Sequence, residues 1–324
     1  MGDATTTTGA TTTTGATTRP AAMALLADPE AGSLDGLVDV GRYPLDHQRS
    51  PEFERLVRRT RAELADRGCV RLDGFLDPCA LRSLGAELAA IAPHVPILRQ
   101  EASVYARDAL EGELDAGDPR RVRLRWHAGH VTRDMLPPYS VAQRLYVSPR
   151  FKSFVAAVVG RTRVFEYADP LAGLVATVLP PGGRYPWHYD TNQYVVTIVV
   201  QRPESGGVFE YHRDLRQPGD ENLAGLGAVL AGRAEQPPDT VDGDPGDLQL
   251  FLGRYSLHRV TEVRGDRPRH VLVLSYAEQP GVIGPVDRTR SVYGRITEAH
   301  LLAEQARSGQ ATPTGPDGHD GLIR

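Results

Sequence analysis

From Arg163 onward the chain breaks into short apolar runs closed by glycine or proline, and this texture restricts the fold more than any other feature. The runs are Leu174–Leu179, Trp187–Asp190, Tyr194–Gln201, Gly207–Tyr211, Asp247–Phe251, Ser256–Thr261 and Arg269–Tyr276. As a set they are too short for helices and rich in β-branched and aromatic residues. Repeated short strands with turn signals between them make a sandwich or a closed barrel. In the last run, period-two alternation puts Arg269, Val271, Val273 and Ser275 on one face. An arginine at the inward start of a barrel strand is costly unless an anion pairs with it.

The first half has a helical texture. Pro51–Arg67 reads as a helix, with Pro51 in its first turn, a stripe of Phe53, Leu56, Val57 and Leu64, and Gly68 to stop it. Cys69–Leu72 is a short strand. Asp77-Pro78 opens a second helix, with Leu81, Leu84, Leu88 and Ile91 on one side. Ser140–Val159 is a third helical region, broken near Pro149 and stopped at Gly160. Glu101–Pro138 reads as an irregular polar loop whose histidines, His127 and His130, either help to enclose a pocket or, on the favoured reading, face solvent. Pro280–Arg290 leaves the barrel, and a last helix is expected over residues 296–307.

The expected fold is therefore mainly β with α: a double-stranded β-helix (jelly roll) over about residues 163–280, with an N-terminal helical layer. One domain is expected over residues 36–310. The tract ATTTTGATTTTGATT offers no apolar periodicity, so residues 1–35 read as a disordered tail and 311–324 as a frayed end.

Composition narrows the partners. A net charge of −4 gives no electrostatic reason to expect nucleic acid or an anionic membrane. No run approaches the roughly 18 apolar residues of a membrane span, and the N-terminus lacks the basic start and apolar stretch of a signal peptide. Two cysteines, Cys69 and Cys79, make no disulfide framework and no C-x-x-C motif, so a reducing cytoplasm is expected. The expected partner is a small-molecule substrate, with no nucleic acid and no membrane.

The chemistry lies in His188 and Asp190, separated by one residue and so on one side of an extended strand. An imidazole nitrogen and a carboxylate oxygen are two thirds of a 2-His-1-carboxylate iron site, and His258 supplies the second histidine. Alone, a His-x-Asp is usually a hydrogen-bonded surface pair and a single histidine is usually structural. Their conjunction with other features changes that reading. Leu179-Pro180-Pro181-Gly182-Gly183 precedes the pair as a tight loop, and Gly246-Asp247 turns into the strand that leads to His258. Arg269 follows eleven residues after His258, and its guanidinium fork suits the far carboxylate of a dicarboxylate cosubstrate. Arg267 has the same parity, but the strand begins more cleanly at Arg269. Thr177 faces inward and either touches the cosubstrate or is an ordinary strand threonine. Arg254, with the parity of His258, either binds a substrate carboxylate or forms a salt bridge at the rim. Asn192 either hydrogen-bonds substrate or caps a turn, and Glu210 and Tyr211 are candidate pocket walls.

On His188, Asp190, His258, Arg269 and the Gly246-Asp247 turn, the stretch Leu174–Tyr276 resembles the non-haem Fe(II)- and 2-oxoglutarate-dependent oxygenase superfamily. Asp190-Thr191-Asn192, Gly206–Tyr211 and Gly253–Thr261 look like a microbial biosynthetic branch acting on free amino acids and small alkaloid intermediates, which includes amino-acid halogenases. The resemblance implies Fe(II) on His188, Asp190 and His258, with 2-oxoglutarate and O2 as cosubstrates. It also implies 2-oxoglutarate on Arg269 and Thr177, with substrate near Asn192 and Arg254. The implied reaction oxidises an unactivated C–H of a small polar substrate while 2-oxoglutarate becomes succinate and CO2. Halogenases of this kind carry Gly or Ala in place of the metal carboxylate. With Asp190 present, hydroxylation, or else desaturation or cyclisation, is favoured over halogenation. Two alternatives stand beside this reading. An iron-dependent oxidase without 2-oxoglutarate would not need Arg269. A non-catalytic jelly-roll metal-binding module of the cupin kind would usually carry a glutamate and extra histidines near the site.

Overall fold

The structure, a computed structural model, describes residues 32–105 and 114–309. The Thr/Gly/Ala tract and residues 311–324 lie outside the described residues. The chain is packed from Leu34, which is fully buried and whose N–H donates to the Asp46 carboxylate.

Helix α1 (Pro51–Arg67) begins where Ser50 Oγ accepts the Phe53 N–H, and it ends at Gly68 in the left-handed region, φ 70°. It buries Phe53, Leu56, Thr60 and Leu64. Strand β1 (Cys69–Leu72) follows, then α2 (Pro78–Ile91), which the Asp77 carboxylate caps through the Cys79 and Ala80 N–H groups. Next come β2 (Leu98–Ala102), β3 (Leu124–Thr132), α3 (Val141–Val147) and α4 (Pro149–Val159). The remaining strands are β4 (Leu174–Leu179), β5 (Tyr185–His188), β6 (Val195–Gln201), β7 (Phe209–His212), β8 (Asp239–Val241), β9 (Leu248–Phe251), β10 (Leu257–Val260) and β11 (Arg269–Leu274). Helix α5 (Leu223–Leu230) lies between β7 and β8, and α6 (Val286–Tyr293) and α7 (Glu298–Gly309) follow β11. No described helix is long and apolar enough to cross a membrane.

These strands form two antiparallel sheets, a seven-stranded one in the order β1-β9-β6-β11-β4-β3-β2 and a four-stranded one in the order β8-β7-β10-β5, and two short ladders, Ser205–Gly206 with Val263–Arg264 and Phe165–Glu166 with Tyr276–Ala277, lie beside them. This is the expected jelly roll. Residue parity divides the large sheet into two faces. Leu174, Ala176 and Val178 of β4, Val196, Ile198 and Val200 of β6, and Leu272 and Leu274 of β11 pack into the same core as Leu56, Leu84, Leu145 and Phe154 of the helices. The alternate residues, among them Val175, Thr177, Thr197, Val199, Val271 and Val273, line an internal cavity. The small sheet closes the cavity on the other side through Phe209, His258 and Val260.

Three expectations change. The Glu101–Pro138 stretch is not irregular throughout: β2 and β3 pair with each other, and β3 joins the large sheet against β4. Their alternation is concealed because the inward positions of β3 carry Trp126 and His130 rather than aliphatic residues. Strand β5 ends at His188, so Asp190 projects from the turn that follows. Part of Pro280–Arg290 forms α6 against the cavity, and the final helix runs to Gly309.

The Gly246-Asp247 turn is a structural joint. Asp247 is buried, its Oδ1 accepting the Gly74 N–H at 2.7 Å and its Oδ2 the Asp244 N–H at 2.8 Å. Asp247→Ala leaves both donors without their acceptor and is expected to destabilise the fold by about 3 kcal/mol. The measurement is a lower urea midpoint at unchanged m.

Candidate metal centre

Neighbouring strands β5 and β10 set His258 directly opposite His188, with ring centroids 4.1 Å apart. The Nδ1 of His188 lies 2.8 Å from the Pro186 carbonyl, and that of His258 lies 3.0 Å from the Ser256 carbonyl. A carbonyl only accepts, so each Nδ1 carries the proton and each Nε2 presents its lone pair. Asp190 completes the set from the turn, where its N–H donates to the Gly253 carbonyl at 3.1 Å. Its Oδ1 stands 4.0 Å from His188 Nε2 and its Oδ2 3.5 Å from His258 Nε2. The three ligating atoms lie within 4.8 Å of one another.

Electrostatics prepares the same three groups for a cation. Burial, reinforced by His258, pushes the His188 imidazole down to about 3, so it is neutral at physiological pH. Burial alone would raise the Asp190 carboxyl. The imidazoles of His258 and His188, together with the Arg288 guanidinium, outweigh it and hold that carboxyl below the usual carboxylate range. Asp190 Oδ2 is buried and accepts no hydrogen bond from a described residue. An ionised oxygen in that position is costly unless a cation meets it. Two imidazoles and one carboxylate on a single side of a cavity are the donor set of a non-haem Fe(II) facial triad. The residues fit the metal.

The cavity measures about 690 Å³, and both the triad and Arg269 line it. Arg269 forms no ion pair with a carboxylate among the described residues. Burial draws its guanidinium down to about 10, which still leaves it charged at neutral pH. Beside it, Thr177 faces the cavity from β4, and the Tyr185 hydroxyl hydrogen-bonds His130 Nε2. Burial depresses His130 to about 4, so its neutral ring can accept that bond. A half-buried, cavity-facing cation flanked by hydroxyls is a receptor for a carboxylate.

The other sequence candidates separate. Asn192 lines the cavity, its Oδ1 accepting the Tyr167 hydroxyl at 2.6 Å. Arg254 lies outside the main cavity, in a side pocket of about 170 Å³, and donates twice to the Thr191 carbonyl at 3.1 and 2.8 Å. The parity argument fails for Arg254 because residues 253–256 precede the strand proper, which starts at Leu257. Arg267 donates to the Pro203 carbonyl and is not on the cavity wall. Glu210 pairs with Arg259 at 2.6 Å, and the Tyr211 hydroxyl donates to the Arg67 carbonyl, so neither is a pocket wall. His130, expected in solvent, is on the wall instead, as are Tyr167, Arg288 and Tyr293. The sequence carries no periodic signal for these four.

A jelly roll whose cavity holds a 2-His-1-carboxylate face and an inward-facing arginine has the architecture of the non-haem Fe(II)- and 2-oxoglutarate-dependent oxygenases. Residues 54–289 match the family model Halogenase D, and the chain belongs to that family. Among solved structures, a 2OG-Fe(II) oxygenase family oxidoreductase from Burkholderia pseudomallei is 19% identical with a TM-score of 0.45, over 69% of this chain and 92% of that one. The non-heme alpha ketoglutarate dependent epimerase SnoN from nogalamycin biosynthesis is 16% identical with a TM-score of 0.46, over 69% and 83%. A prolyl-4-hydroxylase from Pseudomonas putida is 15% identical with a TM-score of 0.42, over 67% and 97%. No curated protein matches this chain.

Proposed function

We propose that this protein hydroxylates an unactivated C–H bond of a small polar molecule, an amino acid or a natural-product intermediate, using Fe(II), 2-oxoglutarate and O2. The observation that carries the choice of hydroxylation is the Asp190 carboxylate. Where the resembling halogenases have Gly or Ala, this chain has a carboxylate that would itself hold the metal, and Gly253 beside it leaves that carboxylate room. Bound Fe(II) supplies the oxidising chemistry, coupling decarboxylation of 2-oxoglutarate to removal of hydrogen from the substrate.

The chain's own residues do the rest. His188, Asp190 and His258 hold the metal from one side and leave the cavity side open for ligands. Arg269, with Thr177, fixes the far carboxylate of the cosubstrate and so its orientation. Val175, Val199, Val271 and Val273 give the cavity an apolar wall that excludes water from the reacting centre.

Mass analysis of products formed with Fe(II) and 2-oxoglutarate, with and without chloride, tests the reading. One added oxygen atom under both conditions is the expected result. A chlorinated product overturns hydroxylation, and substrate-dependent O2 uptake without 2-oxoglutarate promotes the oxidase alternative.

A further inference from the structure

The carboxylate of the metal site stands on a turn, and that turn is held from outside the cavity. Two segments meet there: residues 189–192, which carry Asp190, and residues 253–256, which lead into His258. The Asp190 N–H donates to the Gly253 carbonyl at 3.1 Å. In return the Arg254 guanidinium reaches back to the Thr191 carbonyl, which its Nε and Nη2 approach at 3.1 and 2.8 Å.

The second segment is clasped by the chain that follows β7. The Arg216 guanidinium donates through Nε and Nη2 to the Arg254 carbonyl at 2.9 and 2.7 Å, and the Arg216 N–H donates to the Tyr255 carbonyl at 3.3 Å. The Asp214 N–H donates to Ser256 Oγ at 3.1 Å. Asp214 holds φ 46°, a left-handed conformation that a residue other than glycine keeps where its surroundings fix it. The Ser256 carbonyl is the one that orients the His258 ring, so this clasp bears on two of the three ligands.

Arg216 is itself well fixed. Its side chain is 11% exposed, pairs with Glu221 at 3.1 Å and lies 4.1 Å from the centroid of the Tyr189 ring. Glu221 also accepts the Tyr105 hydroxyl. Beside them α5 packs Leu226 and Val229 into one cluster with Trp187, Tyr189 and Leu257, the sequence neighbours of His188 and His258. These three lie off the cavity wall and the ligands lie on it, so the α5 segment backs the strands that carry the metal site.

Resting on the metal centre described above, we infer that Arg216 and Arg254 are positioning residues for its ligands and that they work in series. Arg216 sets residues 253–256, and Arg254 with the Gly253 carbonyl then sets Asp190. A planar guanidinium that gives two N–H groups to one carbonyl fixes the direction of that peptide as a single donor would not. Neither arginine hydrogen-bonds a ligand side chain, so each acts on the metal through the backbone.

The test is equilibrium binding of Co(II), with the visible ligand-field spectrum of the bound ion recorded in the same titration; neither depends on turnover. Arg216→Gln and Arg254→Gln are each expected to weaken Co(II) binding by about 10-fold or more, the loss that follows removal of support from a metal ligand. Each should also shift the spectrum, because Asp190 moves relative to the imidazoles. Arg216→Lys, which keeps a cation beside the Tyr189 ring but has no fork, is expected to fall between wild type and Arg216→Gln. Because the two arginines act in series, the double variant should lose little more than the worse single one. Asp247→Ala is the control for lost stability alone and should bind Co(II) with wild-type affinity and spectrum. Wild-type affinity and spectrum in either folded arginine variant, additive losses in the double variant, or an equal loss in Asp247→Ala overturns the inference. Arg254→Gln, on the wall of the side pocket, carries the test should Arg216→Gln fail to fold. Failure of the wild type to bind Co(II) strikes the metal centre instead, so the two failures are distinguishable.

Discussion

Gly253→Ala is expected to abolish tight iron binding in a protein that still folds. A Cβ added at 253 would lie 1.9 Å from Asp190 Oδ2, 2.7 Å from its Cγ and 2.9 Å from its Cβ. The obstacle is contact alone, because Gly253 does not occupy the left-handed region that glycine favours. The same residue's carbonyl receives the Asp190 N–H, so backbone and side chain cannot both stay in place. The carboxylate swings out and the metal loses its only anionic ligand. Affinity for Fe(II) or Co(II) is expected to fall by about 100-fold or more, the upper range for removing support from a ligand. The control is a double-mutant cycle with Asp190→Ala: once the carboxylate is gone, the added methyl should cost little more. Wild-type metal affinity in a folded Gly253→Ala protein would show that the carboxylate is not held by this contact.

Arg269→Gln is expected to raise the 2-oxoglutarate concentration needed for half-saturation by about 100-fold, on the 2–5 kcal/mol scale of a buried charge losing its partner. The effect on the fold should be different. Breaking an internal ion pair strands a charge and destabilises, but Arg269 has no described carboxylate to strand. Its removal relieves a half-buried cation that no described carboxylate pairs, so the urea midpoint should stay level or rise while cosubstrate binding collapses. Anaerobic titration of the Fe(II) protein, read by its visible charge-transfer band, measures the first quantity. Unchanged 2-oxoglutarate affinity in Arg269→Gln would place the cosubstrate elsewhere in the cavity.

What could be read from the sequence depended on whether a residue's role was set by local periodicity. Leu174–Leu179 and Arg269–Leu274 alternate cleanly because one face meets the helical core and the other the cavity, so parity alone put Arg269 and Thr177 on the inner side. His188, Asp190 and His258 were legible as types at a spacing, although the turn that carries Asp190 was not. β3 was hidden because its inward positions hold Trp126 and His130, which do not look like a core. Arg254 was misdirected because parity was applied to residues in a turn. Gly253 and Arg288 had no local signal: the first matters only through a contact with a residue 63 positions earlier, and the second through a helix folded back from beyond the barrel.

That returning helix separates two kinds of change along the gene. The candidate metal ligands and Arg269 sit on β5, β10, β11 and one turn, all complete by Leu274. The wall that carries Arg288 and Tyr293 belongs to a later segment, tied back to the body by Asp169 and His300, 131 residues apart. Substitutions in the later segment can therefore reshape what enters the chamber while the His188, Asp190, His258 cluster remains untouched. Lineages built on this plan can diversify their substrates by drift in one short terminal region, without passing through variants that have lost the reaction itself.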